Sequence, residues 1–281
     1  MAKATIGKGV KTKTTWANAL KRDWQLYLLL MIPVALVVIF NYASYGGIRM
    51  VFMDYKPAKG YAGSKWVGWA TFQKVFKDKD FIRALKSSIV FNLLDLAVGF
   101  PMPIILALIL NELRFPRFKK VTQTILYLPH FLSWVIVNYI LYGIIGNKYG
   151  MLNHIIEFFG GTPINFYNAP EYWTIILVIA KVWKDLGMNM VIYLATLVGF
   201  DEELYDAAAV SGATRWQMCW KITLPMLMPT VLMLGIISIG KIFYGDFGMI
   251  YALVGDNGIL YNATDVIDTY VFRTLRSTGN P

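Results

Sequence analysis

The stretch that decides the fold is Asp201-Glu-Glu-Leu-Tyr205-Asp206-Ala207-Ala208-Ala-Val-Ser-Gly212-Ala-Thr214-Arg215-Trp-Gln217-Met-Cys-Trp-Lys-Ile222-Thr-Leu224-Pro225. It reads as two short helices set at an angle. Asp201 caps the first, Glu202 and Glu203 stand in its first turn where the helix dipole favours anions, and the alanines add helix propensity and a thin, approachable face. Gly212 can take the left-handed conformation that ends a helix. Thr214 with Gln217 three residues later forms a capping box for the second helix, and Pro225 marks the entry into the next span. The same residues also fit a plain connection between two spans.

Working outward, long apolar runs flank this elbow. Of 281 residues, 57% are apolar and only 16% are Asp, Glu, Lys or Arg, whereas soluble domains carry about a quarter charged residues. A hydrocarbon core of roughly 30 Å needs about 20 helical residues. Five stretches qualify: 24–48, 87–111, 124–147, 173–199 and 226–250. The chain is an all-α integral membrane protein, a bundle of transmembrane helices. It divides into a basic segment 1–23, a first span 24–48, an outer loop 49–86, a core 87–250 with the elbow at 201–225, and an outer segment 251–281. The first run is too long for a signal-peptide core and stays as an anchor. The net charge of +10 suits basic flanks of spans better than nucleic acid, and the single cysteine, Cys219, excludes a disulfide scaffold and a multi-cysteine zinc site.

Charge sets an orientation. Twelve Lys/Arg fall on each side, but they are denser on the side holding the N-terminus, the short loop with Arg114, Arg117, Lys119 and Lys120, and the elbow. This places the N-terminus in the cytoplasm. In segment 49–86, Trp66, Trp69, Phe72, Phe76 and Phe81 recur near helical spacing among lysines and acids, which suggests an amphipathic piece at the outer surface. Segment 148–172, with Gly160-Gly161 and Ala169-Pro170, reads as an ordinary exterior connection. Trp24, Trp66 and Trp173 read as interfacial belt residues.

The elbow also carries a resemblance. Asp206-Ala207-Ala208, three residues, Gly212, nine residues, then Ile222-Thr-Leu224-Pro225 resembles the Glu-Ala-Ala signature of permease subunits of ABC importers, with Asp206 in place of Glu. The resemblance implies the type I importer permease fold and a cytoplasmic coupling helix that docks on an ATPase. Tyr205, Asp206, Ala207, Ala208, Gly212, Arg215, Ile222, Leu224 and Pro225 would form it. Asp54-Tyr-Lys-Pro57, the run 100–112, Tyr127-Leu-Pro-His-Phe131 and the run 265–271 look like the polysaccharide and oligosaccharide branch of carbohydrate importers. In that branch another span comes after the last motif, so a sixth is expected beyond the five seen. The resemblance also implies a bacterial inner-membrane location and a second permease subunit in a heterodimer. Two ATP-binding subunits would hold ATP and Mg, an extracytoplasmic binding protein would deliver the oligosaccharide, and this chain would hold no cofactor or metal.

Polar residues inside spans are expensive and invite a functional reading. Trp134, Asn138 and Tyr142, with His130, fall at steps of four; so do Lys181, Asp185, Asn189 and Tyr193. With Asp95, Lys241, Tyr244 and Asp246 they are the candidate sugar pathway, in which aromatic rings cover C–H faces and amides and carboxylates meet hydroxyls. Lys181 and Asp185 also fit a self-satisfying i, i+4 pair, and Asn138 and Asn189 also fit interhelical glue. His130, beside Pro129, reads as a capping or packing residue. Lys181, Lys184 and Lys241 suggest an acidic, uronate-containing sugar.

Two rival classes compete. A secondary sugar transporter driven by an ion gradient would show inverted repeats and would leave the elbow unexplained. A membrane enzyme lacks support: His130 and His154 are the two histidines, no His-Glu-x-x-His occurs, Gly7-Lys8-Gly9 lacks P-loop spacing, and Asp78-Lys79-Asp80 reads as solvated surface. The chain is expected to perform no bond chemistry.

Overall fold

A computed structural model describes residues 21–113, 115–147 and 150–278. Most of the basic N-terminal segment, Arg114 and Lys148 lie outside the described residues. The chain forms two compact units, divided in sequence between Lys74 and Val75.

The first unit contains α1, Trp24–Phe52, a 29-residue apolar helix that passes through a π turn at Val38–Tyr42 and ends in a 3-10 stretch. Its side chains from Leu26 to Phe40 are exposed, as expected of a helix whose solvent is lipid. After it, β1 (Met53–Asp54) pairs antiparallel with β2 (Lys65–Trp66), Met53 opposite Trp66. Phe52 stacks on Trp66 at 5.7 Å and meets Trp69 edge-on. The amphipathic piece expected over this aromatic segment consists of a strand pair with the six-residue helix Ala70–Val75 after it. The aromatic spacing mimics a helical period, but the rings fall in different elements: Trp66 in β2, Trp69 in the turn after it, Phe72 in the short helix and Phe76 in the turn that follows.

The second unit is helical: α2 (Lys79–Val98), α3 (Pro101–Glu112), α4 (Pro116–Tyr127), α5 (Trp134–Ile145), α6 (Met151–Phe158), α7 (Pro170–Val198), α8 (Glu202–Val210), α9 (Arg215–Gly240), α10 (Phe247–Val254) and α11 (Ile267–Thr278). Among the described residues, three helices are long and apolar enough to cross a membrane: α1, the 34-residue run Lys79–Glu112 formed by α2 and α3, and α9. A fourth arises if α4 and α5, bent by 104°, count as one span. At 1.5 Å per residue α7 is about 43 Å long, enough to cross, but Lys181, Lys184 and Asp185 interrupt its apolar composition.

Two of the expected spans are broken. The run 124–147 turns sharply at Leu132 and Ser133: Pro129 brings no N–H, and Ser133 restarts the helix by accepting from the Ile136 amide at 3.3 Å. The run 226–250 ends at Gly240, and Asp246 caps a separate helix, α10, by accepting from the Met249 amide at 3.0 Å.

Helix α7 is the axis of the unit. One end packs through Trp173, Leu177 and Val178 against Phe91, Val137, Met249, Leu253 and Leu260. The other packs through Met190, Leu194 and Leu197 against Ala107, Leu110 and Leu227. Close packing rather than water exclusion holds such helices together in lipid. Gly187 shows how close: a Cβ there would fall on the Leu126 carbonyl. Trp173 is fully buried and donates from Nε1 to the Phe166 carbonyl at 2.6 Å, so it is a core residue and not a belt residue. Trp24 and Trp66 are exposed. Segment 148–172 is also more built than expected. It contains α6, and the buried Asn153 donates to the Ile164 carbonyl at 3.0 Å while accepting from its amide at 2.9 Å.

At the start of α2 the buried Asp265 accepts from Arg273 at 2.7 Å and from Arg83 at 3.4 Å, with Thr269 donating at 2.9 Å. Beside it Tyr270 donates to Asp78 at 2.6 Å. That bond holds the Asp78 carboxyl below the usual range, while burial and the same bond push the Tyr270 phenol up to about 12. Both shifts favour the folded state between the two titrations. The Asp78 contribution is lost as pH falls below the ordinary carboxylate range, and the Tyr270 contribution is lost as pH rises from about 10 to about 12. Tyr270→Phe should therefore lower thermal stability most at neutral pH, with parent and variant converging at both extremes in a detergent melt series.

Candidate functional site

Two places stand out, one at the elbow and one beside the middle of α7. At the elbow, Asp201 caps α8 by accepting from the Glu203 amide at 3.0 Å. Gly212, at φ +80°, closes the helix with the Gly212 and Ala213 amides donating back to Ala209 and Ala208, each at 3.0 Å. The Thr214–Gln217 capping box is present in both directions, at 2.8 and 3.3 Å. Helix α9 then begins and runs on without a break through a π turn at Cys219–Thr223, so Ile222, Leu224 and Pro225 belong to one long helix. The π turn has a physical cause: Pro225 cannot donate and its ring would crowd the carbonyl four residues back.

Two contacts hold the elbow. The Tyr205 hydroxyl lies 3.0 Å from Thr223 Oγ1, tying α8 to the base of α9, and Arg215 reaches Glu112 at the end of α3 at 3.4 Å. Tyr205 thus serves the joint itself, while Asp206, Ala207 and Gly212 are exposed. Exposed with them are Val198, Val210, Trp216 and Trp220, the two indoles packing edge-to-face at 5.5 Å. Sequence reasoning misses these apolar residues, although the i, i+4 spacing of the tryptophans marks a common face.

The second place is a cavity of about 370 Å³. It gathers Asp95 from α2, Lys181, Asp185, Asn189 and Tyr193 from α7, and Lys241 and Tyr244 from the chain just after α9. Sequence spacing does not point to three further lining residues: Asn92, Phe100 and Ser238. Asn92 donates to the Ser88 and Tyr244 carbonyls at 2.8 and 3.0 Å and so fixes the chain after α9.

The charges are paired between helices. Lys181 meets Asp95 across the cavity at 2.8 Å and lies 5.1 Å from the Phe91 ring. The expected i, i+4 partner, Asp185, instead meets His130 Nδ1 at 3.1 Å. His130 is therefore a side-chain partner and not merely a cap. Lys184 is buried away from the cavity, donating to the His130 carbonyl at 2.7 Å and lying over Trp134 at 5.2 Å. Lys241 is exposed on the cavity wall and makes no ion pair among the described residues.

Four expected pathway residues are not on this wall. The break at Leu132 takes His130 off the helix that carries Trp134, Asn138 and Tyr142, so the expected stripe of four does not exist. Trp134 packs on Lys184, Tyr142 meets Tyr167 at 6.0 Å, and Asn138 Oδ1 is buried without a hydrogen-bond partner among the described residues. Asp246 is occupied as the cap of α10.

Residues 88–275 match the family of binding-protein-dependent transport system inner membrane components. The chain belongs to that family. It is 37% identical to protein LplB of Bacillus subtilis (strain 168), over 95% of this chain and 82% of that one. It is 36% identical to the polygalacturonan/rhamnogalacturonan transport system permease protein YteP of the same organism, over 96% of this chain and 83% of that protein. Among solved structures it resembles a bacterial ABC transporter involved in the import of the acidic polysaccharide alginate, with a TM-score of 0.84 and 36% identity over 94% of this chain and 87% of that one. The chain is an inner-membrane permease of the sugar-importing ABC class, with the fold of that class.

The cavity makes a direct test of its wiring possible. Asp95→Asn and Lys181→Met should each destabilise the protein by stranding a charge, and the double substitution should recover part of the loss. A double-mutant cycle in detergent melts should give a coupling of about 1–3 kcal/mol.

Proposed function

We propose that the cavity passes an acidic, uronate-containing oligosaccharide. The observation that carries this reading is the charge balance of the wall. Asp95 neutralises Lys181 and His130 meets Asp185, which leaves Lys241 as the cation available to a substrate carboxylate. Asn189, Ser238 and Tyr244 supply hydroxyl partners beside it, and Phe100 supplies an apolar face for a sugar ring. The relatives named for polygalacturonan/rhamnogalacturonan and alginate transport support the same substrate class.

In this proposal the N-terminus is cytoplasmic and the elbow docks on an ATP-binding subunit. Val210, Trp216 and Trp220 provide the apolar contact, with Asp206 and the small face of Ala207 and Ala208 beside them. ATP and Mg belong to two such subunits. A second permease completes a heterodimer, and an extracytoplasmic binding protein delivers the sugar. A similar structure is of a bacterial alginate ABC transporter in complex with an alginate pentasaccharide-bound periplasmic protein. The joint between α8 and α9 is braced by Tyr205–Thr223 and Arg215–Glu112, so motion of the ATPase reaches α9 and α3 as displacement rather than as bending of the loop.

Three experiments test the two halves. Lys241→Gln in the reconstituted transporter should lower uptake of an acidic oligosaccharide about tenfold and leave a neutral one unchanged; equal uptake of both by the parent sinks the acidic assignment. Gly212→Asp, which forces a side chain into the left-handed region, should leave the chain inserted but uncouple ATP hydrolysis from uptake. A cysteine at Ala208 or Val210 should cross-link to the ATPase, and failure across both positions counts against docking there.

A further inference from the structure

A groove of about 570 Å³ on the opposite flank of α2 belongs to neither site. Its wall is Lys79, Ile82, Arg83, Lys86 and Val90 of α2, with Thr174 of α7 and Asn262 and Ala263 across it. We propose that this groove holds the headgroup and upper chain of an anionic phospholipid.

Three observations carry the assignment. The first is charge. Arg83 is committed to Asp80 and Asp265 at 2.9 and 3.4 Å, and its Nε is buried without an acceptor among the described residues. Lys79 and Lys86 are exposed and form no ion pair among the described residues, and no carboxylate among them lines the groove. The second is order along the helix. The cations run from Lys79 to Lys86 with Ile82 among them, and Val90 lies about 6 Å beyond Lys86, so the groove is basic at the start of α2 and apolar at its end toward the middle of the helix. A phosphate with an acyl chain matches that gradient; a soluble carboxylated sugar leaves the apolar end unused.

The third observation is length. The run Lys79–Glu112 is about 51 Å long, whereas hydrocarbon core and headgroup layers together measure about 40–45 Å. With the apolar part of the run in the hydrocarbon core, its first turns reach the headgroup layer on the proposed outer side, where Lys79 and Lys86 attract a phosphate by charge. Below them Val90 and Leu93 are exposed, in the direction an acyl chain would take. The exposed Asn262 amide offers a neutral donor to the phosphate, and the floor is fixed by Thr174 donating to the Ala263 carbonyl at 3.3 Å.

The test uses the complete transporter in nanodiscs of phosphatidylcholine alone or mixed with phosphatidylglycerol, then read by native mass spectrometry. The parent should retain phosphatidylglycerol in preference to phosphatidylcholine. Lys79→Gln with Lys86→Gln should reduce that retention roughly tenfold or more, Lys79→Arg with Lys86→Arg should restore it, and Lys56→Gln with Lys59→Gln should leave it unchanged. Equal retention of the two lipids, or no effect of the first pair, overturns the proposal. Displacement of the lipid by soluble glycerol phosphate or by a uronate trisaccharide also overturns it, in favour of a soluble anion. A cysteine at Lys86 that cross-links to the second permease overturns it in favour of a subunit contact.

Discussion

A charge in the middle of a membrane-length helix must be matched from another helix, and α7 carries three within one turn and a half. Leaving any of them bare in a low-dielectric bundle would cost several kcal/mol. Lys181 takes Asp95 from α2, Asp185 takes His130 from the segment joining α4 to α5, and Lys184 takes the carbonyl of that same histidine. These three matches fix which helices surround α7 at mid-length.

Above and below the charged turn, α7 packs into two separate apolar clusters. The first cluster reaches Val182 on the cavity wall, and beside it the side chains of the middle turn are spent on one another and on open space. A permease needs this combination. The ends of the axis must be stiff enough to transmit displacement, while the centre must present hydroxyl-binding groups without collapsing onto them. The wall is close to neutral once paired, so in the pathway proposed above a solute meets the few groups left over rather than a strong field.

The elbow is legible in the sequence nearly residue by residue, because caps, a capping box and a terminating glycine are local devices whose partners lie within four positions. The polar face of α7 is legible for the same reason, through its four-residue spacing. The pairing is not. Nothing in the order of residues says that Lys181 will choose Asp95, 86 positions away, over Asp185 on its own face. Trp173 misleads because an indole near a span end looks the same whether its N–H meets the Phe166 carbonyl or a lipid headgroup. The aromatic segment after α1 misleads because its five rings, though near helical spacing, are divided among a strand, turns and two different helices. The break at Leu132 has local markers, Pro129 and the capping Ser133, but the apolar run on both sides reads as one continuous span.

The π turn at Cys219–Thr223 has a consequence for phase. One extra residue in a helical turn rotates everything beyond it by about 100° relative to everything before it. Trp216 and Trp220 lie before or within that turn; Leu234, Ile237, Ser238 and Lys241, which face the cavity, lie after it. The azimuth of the elbow's aromatic face relative to the cavity wall is therefore set by a single inserted residue. Helix α9 is keyed at that one point, like two gears fixed on a common shaft.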